Sequence, residues 1–115
     1  MTPQRVEAKA HADRIRVAGA RLRAEIRMLP FAQARALVAS LLEAAEPPAG
    51  FVALKVLRVL QFLPKVGEYH AIRLLQAVGV FQTSQTCRVR DLTERQRLAL
   101  AGLLREDADR WSEAA

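Results

Sequence analysis

Apolar residues at Ile15, Ala18, Leu22, Ile26 and Leu29 recur at spacings of three and four. That period belongs to a helix with one buried stripe, and it predicts a long amphipathic helix over 4–28. Pro30 ends or sharply bends it. Leu37, Leu41 and Leu42 mark a second helix over about 31–45, and "PPAG" (47–50) is the clearest break in the chain. The next run, "FVALKVLRVLQF" (51–62), is the most apolar in the sequence. Its polar positions Lys55, Arg58 and Gln61 sit three apart, which fits a single central buried helix over 51–63 and not a strand.

The pattern stops at "LPKVG" (63–67) and resumes at once. Ile72, Leu75 and Val78 share a face of a helix over about 67–78, with Arg73 and Gln76 pointing away and Gly79 available as a left-handed closing residue. "FQTSQTC" (81–87) reads as a polar loop. Thr93 followed by Gln96 has the spacing of a capping box, opening a last helix through about Leu104. No alternating strand pattern or internal repeat interrupts this, so the expected fold is all-α, about five helices in a single domain over 1–115. A long basic helix (1–29) precedes a core spanning 51–105.

Charge placement sharpens the picture. The net charge is +6, and 15 of the 18 basic residues are Arg, the side chain best suited to bidentate phosphate contacts. Residues 1–29 carry seven basic and three acidic groups, and residues 55–97 carry eight and three, whereas 98–115 is acidic. On the first helix Arg5, Lys9, Arg16, Arg23 and Arg27 fall on one flank of the apolar stripe, with no acid among them. The other flank, Glu7, Arg14, Arg21 and Glu25, is mixed. A solvated face would explain either flank; five cations together also suit a polyanion.

The break at "LPKVG" admits a specific chemistry. Pro64 stops the preceding helix, and Gly67 is expected to supply the tight conformation and to keep a side chain out of the way. The helix that follows presents backbone N–H groups and a positive dipole end to an anion, with Lys65 adding a mobile charge. An ordinary helix corner has the same outline. Downstream, Arg88, Arg90, Arg95 and Arg97 lie within ten residues. Arg88 and Arg90 are expected in an extended approach, where alternation points both to one side while Val89 and Leu92 face the core.

"KVLRVLQFLPKVGEYHA", "RVRDLTERQRLAL" and an N-terminal "TPQR" together resemble the actinobacterial integration host factors. The resemblance covers essentially the whole chain and is specific over about 55–100. It implies an all-α monomer with a helix–two-turns–helix motif, and largely sequence-nonspecific binding, bending and compaction of double-stranded DNA in the nucleoid. It also implies a part in phage integrase–DNA assemblies. By position, the phosphate-gripping turn falls on Pro64, Lys65, Val66 and Gly67, and the arginine cluster on Arg88 and Arg90. Arg95, Arg97, Arg16, Arg23 and Arg27 complete the expected DNA-binding set. Three features depart from the pattern: Cys87 stands at a usually basic position, Glu68 follows the turn glycine, and the 80–86 loop is about three residues longer. Glu68 is expected to cap the helix and compete with phosphate.

Other chemistry is sparse. His11 and His70 have no partners at a ligand spacing, so no metal or other cofactor is expected. The lone Cys87 reads as a small loop residue whose thiol pKa Arg88 would lower. Trp111 reads as a packing or tail residue. Some glycosylases use a related turn but need an N-terminal proline or a lysine–aspartate pair, which this chain does not supply, so it is not expected to be an enzyme. No apolar run reaches membrane-spanning length, and a cytoplasmic location is expected. A structured-RNA or ribosome-associated module and a protein-interaction subunit using the 51–63 face remain the alternatives.

Overall fold

The computed structural model describes the backbone of residues 3–81 and 86–114, with side chains for 4–81 and 86–106. The described residues are all-α: α1 Pro3–Met28, α2 Phe31–Glu43, α3 Ala49–Val52, α4 Val56–Phe62, α5 Glu68–Ala77 and α6 Glu94–Ala114, with a 3₁₀ turn at Val89–Asp91 before α6.

Ile26 is fully buried, with Leu22 and Leu29 packed against the core. Ala18, expected in the same stripe, is exposed, and Gly19 is buried instead. The reason lies in the crossing with α3. A Cβ on Gly50 would stand 2.7 Å from the Cβ of Ala18 and 3.0 Å from the backbone nitrogen of Gly19. The two helices therefore meet backbone to backbone, and only glycine fits at 50. Residues 4–12 of α1 are exposed on every side, so this end stands clear of the packed body. The molecule measures 57 × 30 × 26 Å.

The 51–63 run is not one helix. It belongs to α3 and α4, separated by an extended step at Leu54–Lys55. Here the backbone leaves the helical ladder for a distant partner: the N–H of Val56 donates to the carbonyl of Cys87 (2.9 Å), and that of Val89 to Leu54 (2.9 Å). Lys55 and Arg88 face each other in this isolated antiparallel bridge. The run is nonetheless the centre of the core, with Phe51, Val56, Val59 and Leu60 at most 1% exposed. The apolar face that a protein-interaction reading required is thus spent internally.

α2 and α6 form the most extensive helix pair, with Val38, Ala39 and Leu42 facing Leu100, Ala101 and Leu104 in one cluster. α2 ends at Glu43, short of 45, because Ala44 turns extended. The capping box at α6 forms as expected: Thr93 N–H donates to Oε1 of Gln96 (3.0 Å), and Gln96 N–H to Oγ1 of Thr93 (3.1 Å). α6 continues ten residues past Leu104. One tie across α2 and α6 was not foreseen: Arg105 donates from Nε and Nη2 to the two carboxylate oxygens of Glu43, at 2.7 and 3.0 Å. That pairing holds the Glu43 carboxyl below its ordinary range.

Gly79 closes α5 at φ +90. Val80 N–H reaches the carbonyl of Leu75 (2.9 Å) and Gly79 N–H that of Gln76 (3.0 Å), the paired bonds of a Schellman cap. Of the polar loop, 82–85 lie outside the described residues, as does the side chain of Trp111. No described helix is long and apolar enough to cross a membrane.

Candidate nucleic-acid interface

The 63–67 turn is built differently from the expectation. Gly67 is extended at φ −83 and ψ 177, a conformation open to any residue. The left-handed position is Lys65, at φ 64. Three contacts hold Lys65 there. Val66 is buried in the core, the carbonyl of Pro64 accepts a bond from Nη1 of Arg35 (3.2 Å), and the Lys65 ammonium lies 5.8 Å from the centroid of the Phe31 ring. A left-handed non-glycine residue is costly and persists only where its surroundings impose it. Gly67 has another use. A Cβ there would meet no atom within 4 Å, so nothing inside the protein demands glycine, and approach from outside is unobstructed. The first N–H groups of α5 lack intrahelical partners in the ordinary way, and Gly67 supplies no side-chain cap.

Arg35, absent from the expected site, is the support of this turn. It is 1% exposed, with its guanidinium carbon 3.5 Å from the centroid of Phe31. The sequence pattern placed it on an ordinary helical position of α2, with no sign that it would reach residue 64.

Arg88 and Arg90 do not share a side. Residues 89–91 form a 3₁₀ turn, which advances about 120° per residue, in place of an extended approach. Arg88 is half-buried, its backbone N–H bonded to Oδ2 of Asp91 (2.9 Å) and its Nη1 donating to the carbonyl of Ala53. Arg90 is exposed and turned elsewhere. Val89 and Leu92 are buried as expected. Cys87 is buried too, and burial followed by the nearby Asp91 charge raises its thiol pKa, the reverse of the shift anticipated from Arg88.

What Arg88 joins is a groove of about 360 Å³ between α1 and the start of α4. Arg23, Lys55, Arg58 and Arg88 all line it, and no carboxylate does. The guanidinium carbon of Arg23 lies 5.2 Å from the centroid of Phe62, whose ring forms part of the wall. An adjoining depression shares Lys55 and Arg58 and ends at Glu68, on the first turn of α5. The cationic strip therefore runs from α1 to the mouth of the 63–67 turn, with one carboxylate at that end.

The bridge sets two of these cations opposite each other. Its hydrogen bonds flank Lys55 and Arg88, which makes them a non-hydrogen-bonded antiparallel pair with Cα atoms about 4.5 Å apart. Like charges directly opposite in such a pair are destabilising. Two further cations line the same groove.

The remaining expected residues separate by role. Arg97 donates from Nη1 to the carbonyls of Leu42 and Ala44, both at 3.2 Å, and so caps the C-terminus of α2. It was read as a DNA contact; its Nη1 is engaged within the fold. Arg95 and Arg27 are exposed and do not line the groove, and Arg16 is exposed and pairs with Asp13 one turn before it. Among the described residues no group of three or more His, Cys, Asp or Glu converges as a metal site.

Comparisons with protein-family models, curated proteins and solved structures return no match.

Proposed function

We propose that this protein binds double-stranded DNA through its phosphates, with little sequence preference, and bends or compacts it in the manner of an integration host factor. The observation that carries this reading is the groove itself, where four cations from separate segments meet without a lining carboxylate. An anion between or above Lys55 and Arg88 would offset the repulsion of two opposed cations. The lack of aromatic platforms around the groove, apart from the wall residue Phe62, favours backbone contacts over base stacking.

α1 extends the contact. It is 26 residues long, about 39 Å at the usual helical rise. Its cationic flank continues from Arg23 in the groove through Arg16 to Lys9 and Arg5 on the projecting end. A duplex seated on the groove and following α1 touches the protein at two separated places, which is the requirement for bending by a monomer. The nucleoid of a cytoplasm is the matching location, and a phage integrase–DNA assembly is one setting that uses such a bend.

A salt-titrated gel shift with random-sequence duplex DNA and duplex RNA tests the reading. Four neutralised phosphates in the groove give a slope of log K against log salt of about −3.6, and contacts along α1 steepen it. Binding that ignores salt removes the mechanism, and tighter binding to duplex RNA transfers it to structured RNA.

A further inference from the structure

We propose that the same groove binds compact oligophosphates, small anions in which phosphates are joined by anhydride bonds and at least one end is free. This rests on reading the groove as an anion site. It adds that the site holds a small ligand by itself, and that such a ligand competes with a duplex.

Shape is the first argument. Contacts to a duplex need only a cationic ridge, as on the projecting part of α1. The α1–α4 site is an open depression of about 360 Å³ whose cations come from three segments: Arg23 from α1, Lys55 and Arg58 around the start of α4, and Arg88 from the far side of the bridge. Cations on several sides of one depression can reach a single compact ligand together.

Orientation is the second. Arg88 is held by its bond to the Ala53 carbonyl, and Arg23 sits by the Phe62 ring. Guanidinium groups already in place lose less freedom on binding, and their planar forks match phosphate oxygens in pairs. Lys55 supplies the adjustable charge opposite Arg88.

Charge density is the third. A phosphodiester carries one charge per phosphate, whereas a terminal phosphate carries about −1.5 to −2 with three acceptor oxygens. An oligophosphate therefore delivers several charges into one small volume, the situation that four cations in one groove require. Glu68 in the adjoining depression opposes extension of an anion toward α5, which favours short chains.

Titration calorimetry of the full chain with inorganic tripolyphosphate and with sulfate, at matched ionic strength, tests this. The expected result is a single site with tripolyphosphate binding at least about tenfold tighter than sulfate, as several added charge-assisted contacts require. Lys55→Gln and Arg58→Gln each weaken tripolyphosphate severalfold, and Arg73→Gln, exposed on α5 and outside the groove, leaves it unchanged. Equal affinity for the two anions, or equal weakening by Arg73→Gln and Lys55→Gln, overturns the proposal. Melting curves of the variants confirm that each is folded. Duplex binding measured on the same proteins separates the two readings. Groove variants that lose the duplex while wild type ignores tripolyphosphate refute this inference alone; groove variants that keep the duplex but lose tripolyphosphate refute the duplex site and the competition, and leave the small-anion site standing.

Discussion

Arg35 of α2, buried beneath Phe31, donates from Nη1 to the carbonyl of Pro64 at 3.2 Å and so anchors the turn that precedes α5. The bond uses a charged donor in a nearly dry setting, where such bonds contribute about 1.5–3 kcal/mol. Arg35→Leu is expected to lower stability by about that amount. It also frees the left-handed Lys65, so duplex affinity falls beyond what the loss of a buried charge explains. Urea unfolding and a gel shift on the same protein check both halves. A variant with normal stability and normal binding would show that the turn stands without Arg35.

Two glycines separate internal from external constraint. Gly50→Ala drives a methyl to within 2.7 Å of Ala18 and is expected to destabilise by about 1–3 kcal/mol, as overpacking does. Gly67→Ala meets no atom and keeps an accessible backbone. Its stability should stay level or rise by about 0.4–1 kcal/mol, while DNA affinity falls because the methyl stands where a phosphate approaches. Thermal melts together with binding isotherms distinguish the two. Equal binding by Gly67→Ala and wild type would reduce the turn to a corner.

These contrasts also mark how far the sequence could be read. Signals within a few residues were legible: Pro30 between α1 and α2, the Thr93–Gln96 capping box, Gly79 closing α5. Each of these depends on local backbone chemistry. Contacts between distant segments left no trace in the pattern. The Arg97 bonds to α2, the Gly19–Gly50 crossing and the Arg35 anchor all arise from packing. The split of 51–63 into two helices belongs with them, since its hydrophobic period continues through a break imposed by residues 87–89. Of the four groove cations, the sequence singled out Arg23 and Arg88 but read Lys55 and Arg58 as the polar edge of a buried helix. Their convergence exists only once the bridge forms.

The Glu43–Arg105 pair predicts a pH dependence with a definite sign. Its hydrogen bonds hold the folded-state pKa of Glu43 below the ordinary value. A depressed carboxylate pKa contributes stability that is present above the unfolded value, about 4.3, and is lost as pH falls through the folded value. Glu43→Gln should therefore melt below wild type at neutral pH, with the gap closing as the solution is acidified beneath about pH 4. A gap that persists undiminished in acid would assign the effect to packing. Because the pair is exposed, added salt should also narrow it.

Glu68 is the one carboxylate in the cationic strip, so neutralising it removes a local repulsion against bound phosphate. Glu68→Gln is expected to tighten duplex DNA, and Glu68→Lys to tighten it further and steepen the salt slope by about 0.9, one more phosphate contact. A cost accompanies this, because an acid in the first turn of α5 favours the helix dipole by about 0.3–1 kcal/mol. Tighter binding together with a slightly lower melting temperature is the expected signature. Weaker binding by Glu68→Gln would mean that the carboxylate positions the α5 terminus and does not compete with phosphate.

The sharpest test concerns Lys55 and Arg88, because stability and binding should move in opposite directions. In the free protein the two cations oppose each other across the bridge, and Lys55 is exposed. Lys55→Gln relieves that repulsion at no packing cost, so the melting temperature should hold or rise, by up to about 1 kcal/mol of stability on the scale of cross-strand pairs. The same change removes a cation from the groove, so duplex affinity should fall and the salt slope become shallower by about 0.9. Arg88→Gln behaves differently: it relieves the same repulsion but loses the bond to Ala53, so its stability gain is smaller or absent. Raising salt screens the repulsion in wild type and should close the stability gap to Lys55→Gln. If Lys55→Gln instead unfolds at lower temperature in low salt, the opposed pair is not a source of repulsion, and the groove loses its claim to be an anion site.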